Sequence, residues 1–317
     1  MSEKELSRLS APGARRNIAC IGECMVELRA SGESKSGESQ YDSAFAGDTL
    51  NTAIYLARSN LHQVQYVTVV GNDMLSQRMV KAWQQEGIDT SLVGRHQSRI
   101  PGLYMIENDI TGERTFQYWR SMSAARTLFL PESQLNPQML SQADAIYTSG
   151  ISLAIMHPDA RKALIEFLAA FRDNGGVVAF DSNYRPALWE DINTARQTID
   201  CLWSVATHGF PSLDDEQALY GDAGEEAVVA RLSGYDMTEM LLKRGELGPR
   251  LFSAGEERLP AALGTADQVI DTTGAGDSFN AGYLAHRLYG AVMVEAVSLA
   301  HRLALQVIAH PGAVLPR

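Results

Sequence analysis

The sequence predicts an α/β fold, with a mainly parallel central sheet flanked by helices and a small β flap beside it. Short apolar runs typical of buried strands alternate with stretches whose apolar residues recur at helical spacing. The chain closes on two helical patterns, at 276–289 and 292–309. One segment, 101–120, breaks the alternation with two strand-like runs around a turn.

Residues 17–24 form an apolar first strand, which would carry both Cys20 and Cys24. Over 47–60, Leu50, Ala53, Ile54 and Ala57 fall at i, i+3, i+4 and i+7, the stripe of a packed helix. A short buried strand at 67–70 ends at Gly71-Asn72-Asp73, and a helix over 74–86 stops at Gly87. A helix at 161–173, strands at 176–181 and 237–242, and two closing helices at 276–289 and 292–309 complete the pattern.

The exceptional segment reads as a hairpin around Asp109-Ile110-Thr111-Gly112-Glu113, with Gly112 in the left-handed position of a three-residue loop. Pairing Asp109 with Glu113 sets Tyr104 opposite Tyr118 and Gly102 opposite Arg120. Tyr118 and Arg120 then share a face, and Gly102 leaves room for a ligand group beside the guanidinium. An exposed hairpin with an ordinary aromatic pair is the competing reading. Residues 27–44 fit no helix and would join the hairpin in a β layer able to close over a cleft.

Composition narrows the function. The chain has 317 residues and a formal net charge of −11, from 27 basic and 38 acidic side chains. That balance argues against nucleic acid as the main partner, since binding a phosphate backbone needs a cationic face. Cys20, Cys24 and Cys201 are an odd count without a CxxC pair and read as reduced thiols of a cytoplasmic protein. The seven histidines are scattered, which disfavours a zinc site. No apolar run suggests a signal peptide or membrane span. Residues 1–14 read as a flexible leader and 15–317 as one domain, with a discontinuous β lid at about 27–44 and 99–121.

The chemical signal is concentrated near the end. Val269-Ile270 reads as a short strand entering the turn Asp271-Thr272-Thr273-Gly274-Ala275-Gly276, which opens a helix at Asp277. The first N–H groups of a helix lack intrahelical partners and face the positive end of its dipole. With small residues at 274–276, that end is an anion hole for a phosphoryl group. Asp277 is either a helix cap or a base for an attacking hydroxyl, and an anion hole beside a base meets both needs of phosphoryl transfer to an alcohol. No glycine precedes a lysine, so a P-loop is excluded, and the GxG lacks the third glycine of a dinucleotide fingerprint.

DTTGAGD at 271–277 resembles the C-terminal motif of the ribokinase-like (PfkB) carbohydrate kinases, and Ala46-Gly47-Asp48-Thr49-Leu50-Asn51 resembles their upstream Gly-rich turn. The likeness is closer to the 2-keto-3-deoxygluconate kinase branch. It is carried by IGECMVEL at 21–28, GDTLNTA at 47–53, PGLY at 101–104 with GERTFQYWR at 112–120, GISLA at 150–154 and DSNYRPALW at 181–189. The resemblance implies a ribokinase-like fold and phosphorylation of the terminal (C6) hydroxyl of that sugar acid by ATP, with Mg²⁺ and a monovalent cation as further ligands. It implies Asp277 as the base and Gly274, Ala275, Gly276 and Asp277 as the anion hole. Gly47, Asp48, Asn51, Tyr104, Tyr118, Arg120 and Arg185 would line the sugar. Asn183, Arg185, Ser212, Lys243, Gly245, Gly248 and His301 would meet the nucleotide.

Two positions depart from the family pattern. Ser212-Leu213-Asp214-Asp215 stands for the usual Asn-x-x-Glu, so Asp215 would reach a metal through water, and Ala46 stands where many relatives have Gly. A neutral-sugar kinase of the fructokinase or ribokinase type, or a sugar-sensing protein on the same fold, are the alternatives. The partners expected are the sugar acid and ATP, with no nucleic acid and no membrane, and a second copy of the chain through the lid's edge.

Overall fold

The computed structural model describes residues 13–108, 114–258 and 263–317. The expected left-handed Gly112, the pairing of Asp109 with Glu113 and nearly all of the expected leader lie outside the described residues.

The chain begins with β1 (Asn17–Ile21), β2 (Met25–Glu33), β3 (Ser39–Ala46), α1 (Asp48–Arg58), β4 (Gln63–Val70), α2 (Met74–Gln85) and β5 (Val93–Arg95). There follow β6 (Leu103–Asn108), β7 (Arg114–Trp119), β8 (Ala145–Ser149), α3 (Gly150–Ile155), α4 (Pro158–Asp173), β9 (Val177–Asp181) and α5 (Ile192–Val205). The remainder is β10 (His208–Gly209), α6 (Leu213–Tyr220), α7 (Glu225–Leu232), β11 (Glu239–Leu242), β12 (Arg250–Ser253), β13 (Glu256–Arg258), α8 (Ala275–Tyr289) and α9 (Met293–Ile308).

The main sheet has nine strands in the order β13-β12-β11-β10-β9-β8-β1-β4-β5. From β11 to β5 every pair is parallel, and only β12 and β13 are antiparallel. Parallel strands covered on both faces are apolar on both. Along β1, Ile18 and Cys20 join one core with Leu50, Tyr66, Trp83 and Tyr283, while Ala19 and Ile21 join the other with Phe180 and Trp203.

Local chemistry sets the helix ends. Asp73 caps α2 by accepting from Ser76 N at 3.0 Å, and the helix stops where Gly87 turns left-handed at φ 82°. The expected first strand stops at Ile21, three residues early. At Gly22 a side chain would strike the hydroxyls of Thr49 and Ser152, and the chain leaves the sheet there. Cys24 therefore lies in the connector rather than on a strand with Cys20, and both thiols are buried. The strand expected at Val269-Ile270 is absent. Both side chains are exposed, and the N–H of Ile270 donates to the Ile308 carbonyl at 2.8 Å instead of to a strand.

The second sheet has four strands in the order β3-β2-β6-β7. β6 and β7 pair antiparallel in the expected register, with Tyr104 opposite Tyr118 and their rings 5.7 Å apart. Its first two strands run from Met25 to Ala46, slightly wider than 27–44.

Candidate active site

A parallel sheet brings its strand ends to one side, and there the loops after β1, β8, β9 and β11 meet the N-termini of α1 and α8. Gly274 opens α8 at φ 77°, and a side chain there would sit 2.7 Å from the Ala313 carbonyl oxygen, so only glycine fits both the turn and the packing. Asp271 braces the turn. It accepts from Thr273 N at 3.0 Å and from Gly312 N at 2.8 Å. The Ala275 N–H is not open to a ligand, because it donates to the Thr272 carbonyl at 3.2 Å. Of the four residues expected to form the anion hole, Ala275 therefore has its N–H engaged within the turn.

Asp277 is not a cap. It lies inside α8, and its carboxylate accepts from Asn51 Nδ2 on α1 at 2.8 Å. Thr52 Oγ1 holds the Asp277 carbonyl at 3.2 Å, so α1 fixes both ends of the residue. Burial pushes the Asp277 carboxyl up to about 8, and the charges of Asp48 and Asp181 add to this while the Asn51 hydrogen bond and Lys243 oppose it. Burial likewise raises Asp48, reinforced by Asp181 and opposed by hydrogen bonds from Ser149, Thr49 and Asn183.

Asp181 is the hub that sequence reasoning did not single out. It ends β9, is fully buried, and accepts from Lys243 Nζ, from Asn280 Nδ2 at 2.7 Å and from Asn183 N at 3.1 Å. Asn183, at φ 29°, also donates to Asp48 at 2.9 Å, and so ties the N-terminus of α1 to the end of β9. Lys243 lies over the start of α8, with its Nζ 3.4 Å from where a Gly276 side chain would begin.

The other expected residues divide into two groups. Ser212 bridges to Lys243, while Gly245 and Gly248 shape the following turn at φ 56° and 71°. Arg185 is exposed and pairs with Asp215 at 3.0 Å, so Asp215 already holds a cation. His301 bonds the Gly264 carbonyl at 2.7 Å. On the lid side, Gly47 precedes α1, Tyr104 donates to the buried Glu27, and Tyr118 is half exposed. The room expected beside Arg120 is filled on the side of Gly102. A side chain at Gly102 would sit 3.0 Å from Met25 and 3.1 Å from Glu23, and Glu23 is ion-paired with Arg120.

The sequence pattern of the pfkB family carbohydrate kinases matches residues 15–317 of this chain. The chain belongs to the pfkB family of carbohydrate kinases. This kinase is 43% identical over 307 residues to a Dickeya dadantii protein named 2-dehydro-3-deoxygluconokinase, covering 95% of this chain and 97% of that one. It is 44% identical over 311 residues to an Escherichia coli protein of the same name, covering 95% and 98%. Its fold superposes on that of a fructokinase from Xylella fastidiosa with bound ATP at a TM-score of 0.80 and 20% identity, covering 95% of this chain and 94% of the other. The family's ribokinase-like α/β fold is the one described above. Asp181 and Glu23 both lie inside stretches that resemble the family, DSNYRPALW and IGECMVEL. The signal that could have found them is an acidic residue at the end of a buried apolar run, which needs a partner.

Proposed function

We propose that this kinase transfers the γ-phosphoryl group of ATP to the terminal hydroxyl of 2-keto-3-deoxygluconate (2-dehydro-3-deoxygluconate), giving the 6-phosphate and ADP. The observation that carries the substrate is the identity of 43–44% over nearly the whole chain to two proteins named for that reaction. The cleft agrees with it. A sugar acid brings a carboxylate, and the lid side supplies Arg120, a largely buried cation.

Asp277 takes the proton of the hydroxyl as its oxygen forms the new bond to phosphorus. The bond from phosphorus to the β,γ-bridging oxygen breaks, and ADP leaves. A base raised toward the working pH keeps the proton it gains. The N-terminus of α8 and Lys243 face the charge on the transferred group, and Asn51 orients the carboxylate. The oxygen donors on the nucleotide side, Asp215 and Asp181, suit a hard cation held mainly by phosphates, so Mg²⁺ would meet them through water. When bound, Mg²⁺ neutralises phosphate charge. Ser212, Lys243, Gly245, Gly248 and His301 would line the nucleotide, and a monovalent cation belongs to the same proposal.

We read residues 15–317 as one domain with a discontinuous lid, working in the cytoplasm. No described helix is long and apolar enough to cross a membrane, and the cysteines are free thiols. The unpaired edge of β7, with Phe116, Tyr118 and Trp119 exposed, suits a second copy of the chain. The deciding experiment is a coupled assay of ADP release with a panel of sugar acids and neutral sugars. The keto-deoxy acid is expected to give the highest kcat/KM. Equal turnover of fructose or ribose would overturn the acid reading in favour of a neutral-sugar kinase.

A further inference from the structure

Glu23 stands in the connector between β1 and β2 and is 2% exposed. A buried carboxylate is costly unless paired, and this one has two partners. Arg120 Nη2 donates to one oxygen and Ser123 Oγ to the other. Every passage of chain between the four-stranded sheet and the rest of the molecule runs past this residue. β2 starts two residues after it. Gly47 follows β3, and a side chain there would overlap the Glu23 carbonyl oxygen. Gly102 precedes β6, and a side chain there would sit 3.1 Å from Glu23 Oε1. Arg120 and Ser123 follow β7.

Arg120 itself is not satisfied. Its Nε is buried and has no hydrogen-bond partner among the described residues. An orphaned N–H on a cation costs more than a neutral one, and an anionic acceptor brought by a ligand removes that cost.

We propose that Glu23 is a positioning residue for the sugar acid. It is the pivot about which the lid is held, and it fixes the Arg120 guanidinium so that the remaining N–H groups meet the substrate carboxylate. This rests on the reading above that the substrate is a sugar acid bound by Arg120. Glu23 touches no substrate in this account. It acts by holding Arg120 and the lid strands in one geometry. The substrate carboxylate and Glu23 then share one cation.

The test compares the parent with Glu23→Gln and Ser123→Ala. Each is assayed for kcat and KM with the sugar acid, with its neutral analogue reduced at the carboxyl group, and with ATP, and melting temperatures are recorded. Glu23→Gln keeps the shape and loses the charge, so KM for the acid should rise about tenfold. KM for ATP and for the neutral analogue should move little. Ser123→Ala leaves the carboxylate but loosens it, and should shift KM for the acid about two- to fivefold in the same direction. That second variant carries the test if Glu23→Gln does not fold. An equal change for acid and neutral analogue would mean a structural role only, and overturns the proposal. So does a lower KM for the acid, which would make Glu23 a competitor of the substrate. So does no change in either variant. The parent's own preference for acid over neutral analogue tests the substrate reading separately, since it involves no change at Glu23 or Ser123.

Discussion

Asp277 meets two opposed requirements. As the proposed base it would need burial to exclude water from the transferred phosphoryl group, yet would have to lose its proton. Burial, Asp48 and Asp181 favour the protonated form, whereas Asn51 and Lys243 favour the carboxylate. With the carboxyl pushed up to about 8, the active form grows as pH rises. The kcat/KM of the free enzyme should therefore climb from pH 6 and level off above about 8, read by a pH–rate profile. Asp277→Asn should lower kcat by about 10²-fold or more and flatten this climb, while ATP binding survives. Its melting temperature should exceed the parent's by a margin that widens from pH 4 to pH 8. The sign follows because a carboxyl raised in the fold contributes stability below its unfolded value of 3.8 and loses it as pH rises through 8. A variant as active as the parent would remove Asp277 from the chemistry.

The start of α8 shows how a secondary-structure terminus becomes a site. A left-handed glycine lets the chain turn into the helix, and the same missing side chain lets the turn pack against Ala313. Tyr55 of α1 donates to the Ala313 carbonyl at 3.0 Å, so the C-terminal segment is tied to both helices that frame Asp277. Gly274→Ala should cost about 1–3 kcal/mol of stability through backbone strain, and more through the contact with Ala313. Turnover should fall further than the melting temperature predicts, because the N–H groups of the proposed anion hole would be displaced. Gly290→Ala is the control. It replaces a left-handed glycine (φ 113°) at the other end of the same helix, so stability should fall while kcat of the folded enzyme holds. Equal kinetic loss in both variants would argue against an anion hole at Gly274.

Far from the cleft, one buried network couples the sheet to the helical layer. Glu239 begins β11 and accepts from Tyr283 and, at 2.9 Å, from Arg287, both on α8; His208 lies 3.3 Å away. Burial alone would raise this carboxyl, but His208 and Arg287 outweigh it and hold it well below its usual 4.5. Such a group adds stability above 4.5, and that contribution is lost as pH falls toward the folded value. Glu239→Gln should cost about 3–5 kcal/mol at pH 7, since it strands buried partners. The gap to the parent should shrink as pH drops below 4.5, measured by thermal melts across pH. A gap that stays constant with pH would show that the charge is not what matters. β11 leads to Lys243 and Asp277 lies in the first turn of α8, so the network ties together the two elements proposed to face phosphate.

Much of this could be read in the residues alone, because it is encoded by neighbours along the chain. Periodicities of 2 and 3.6, a capping Asp73, a stopping Gly87 and the hairpin pairing of Tyr104 with Tyr118 depend on residues a few positions apart. DTTGAGD was legible for the same reason, since its turn, anion hole and carboxylate sit within seven residues. What was hidden lies across the chain. Asp277 meets Asn51, separated from it by 226 positions, and Asp181 collects Lys243 and Asn280 from two other elements. Glu23 closes on Arg120 over 97 positions, filling a space that the hairpin register had left open. Val269 and Ile270 look like a strand by composition, yet no sheet edge among the described residues reaches them. Which carboxylates share a cation, and how far burial raises their affinity for a proton, depends on distances that exist only once the sheet has brought its strand ends together.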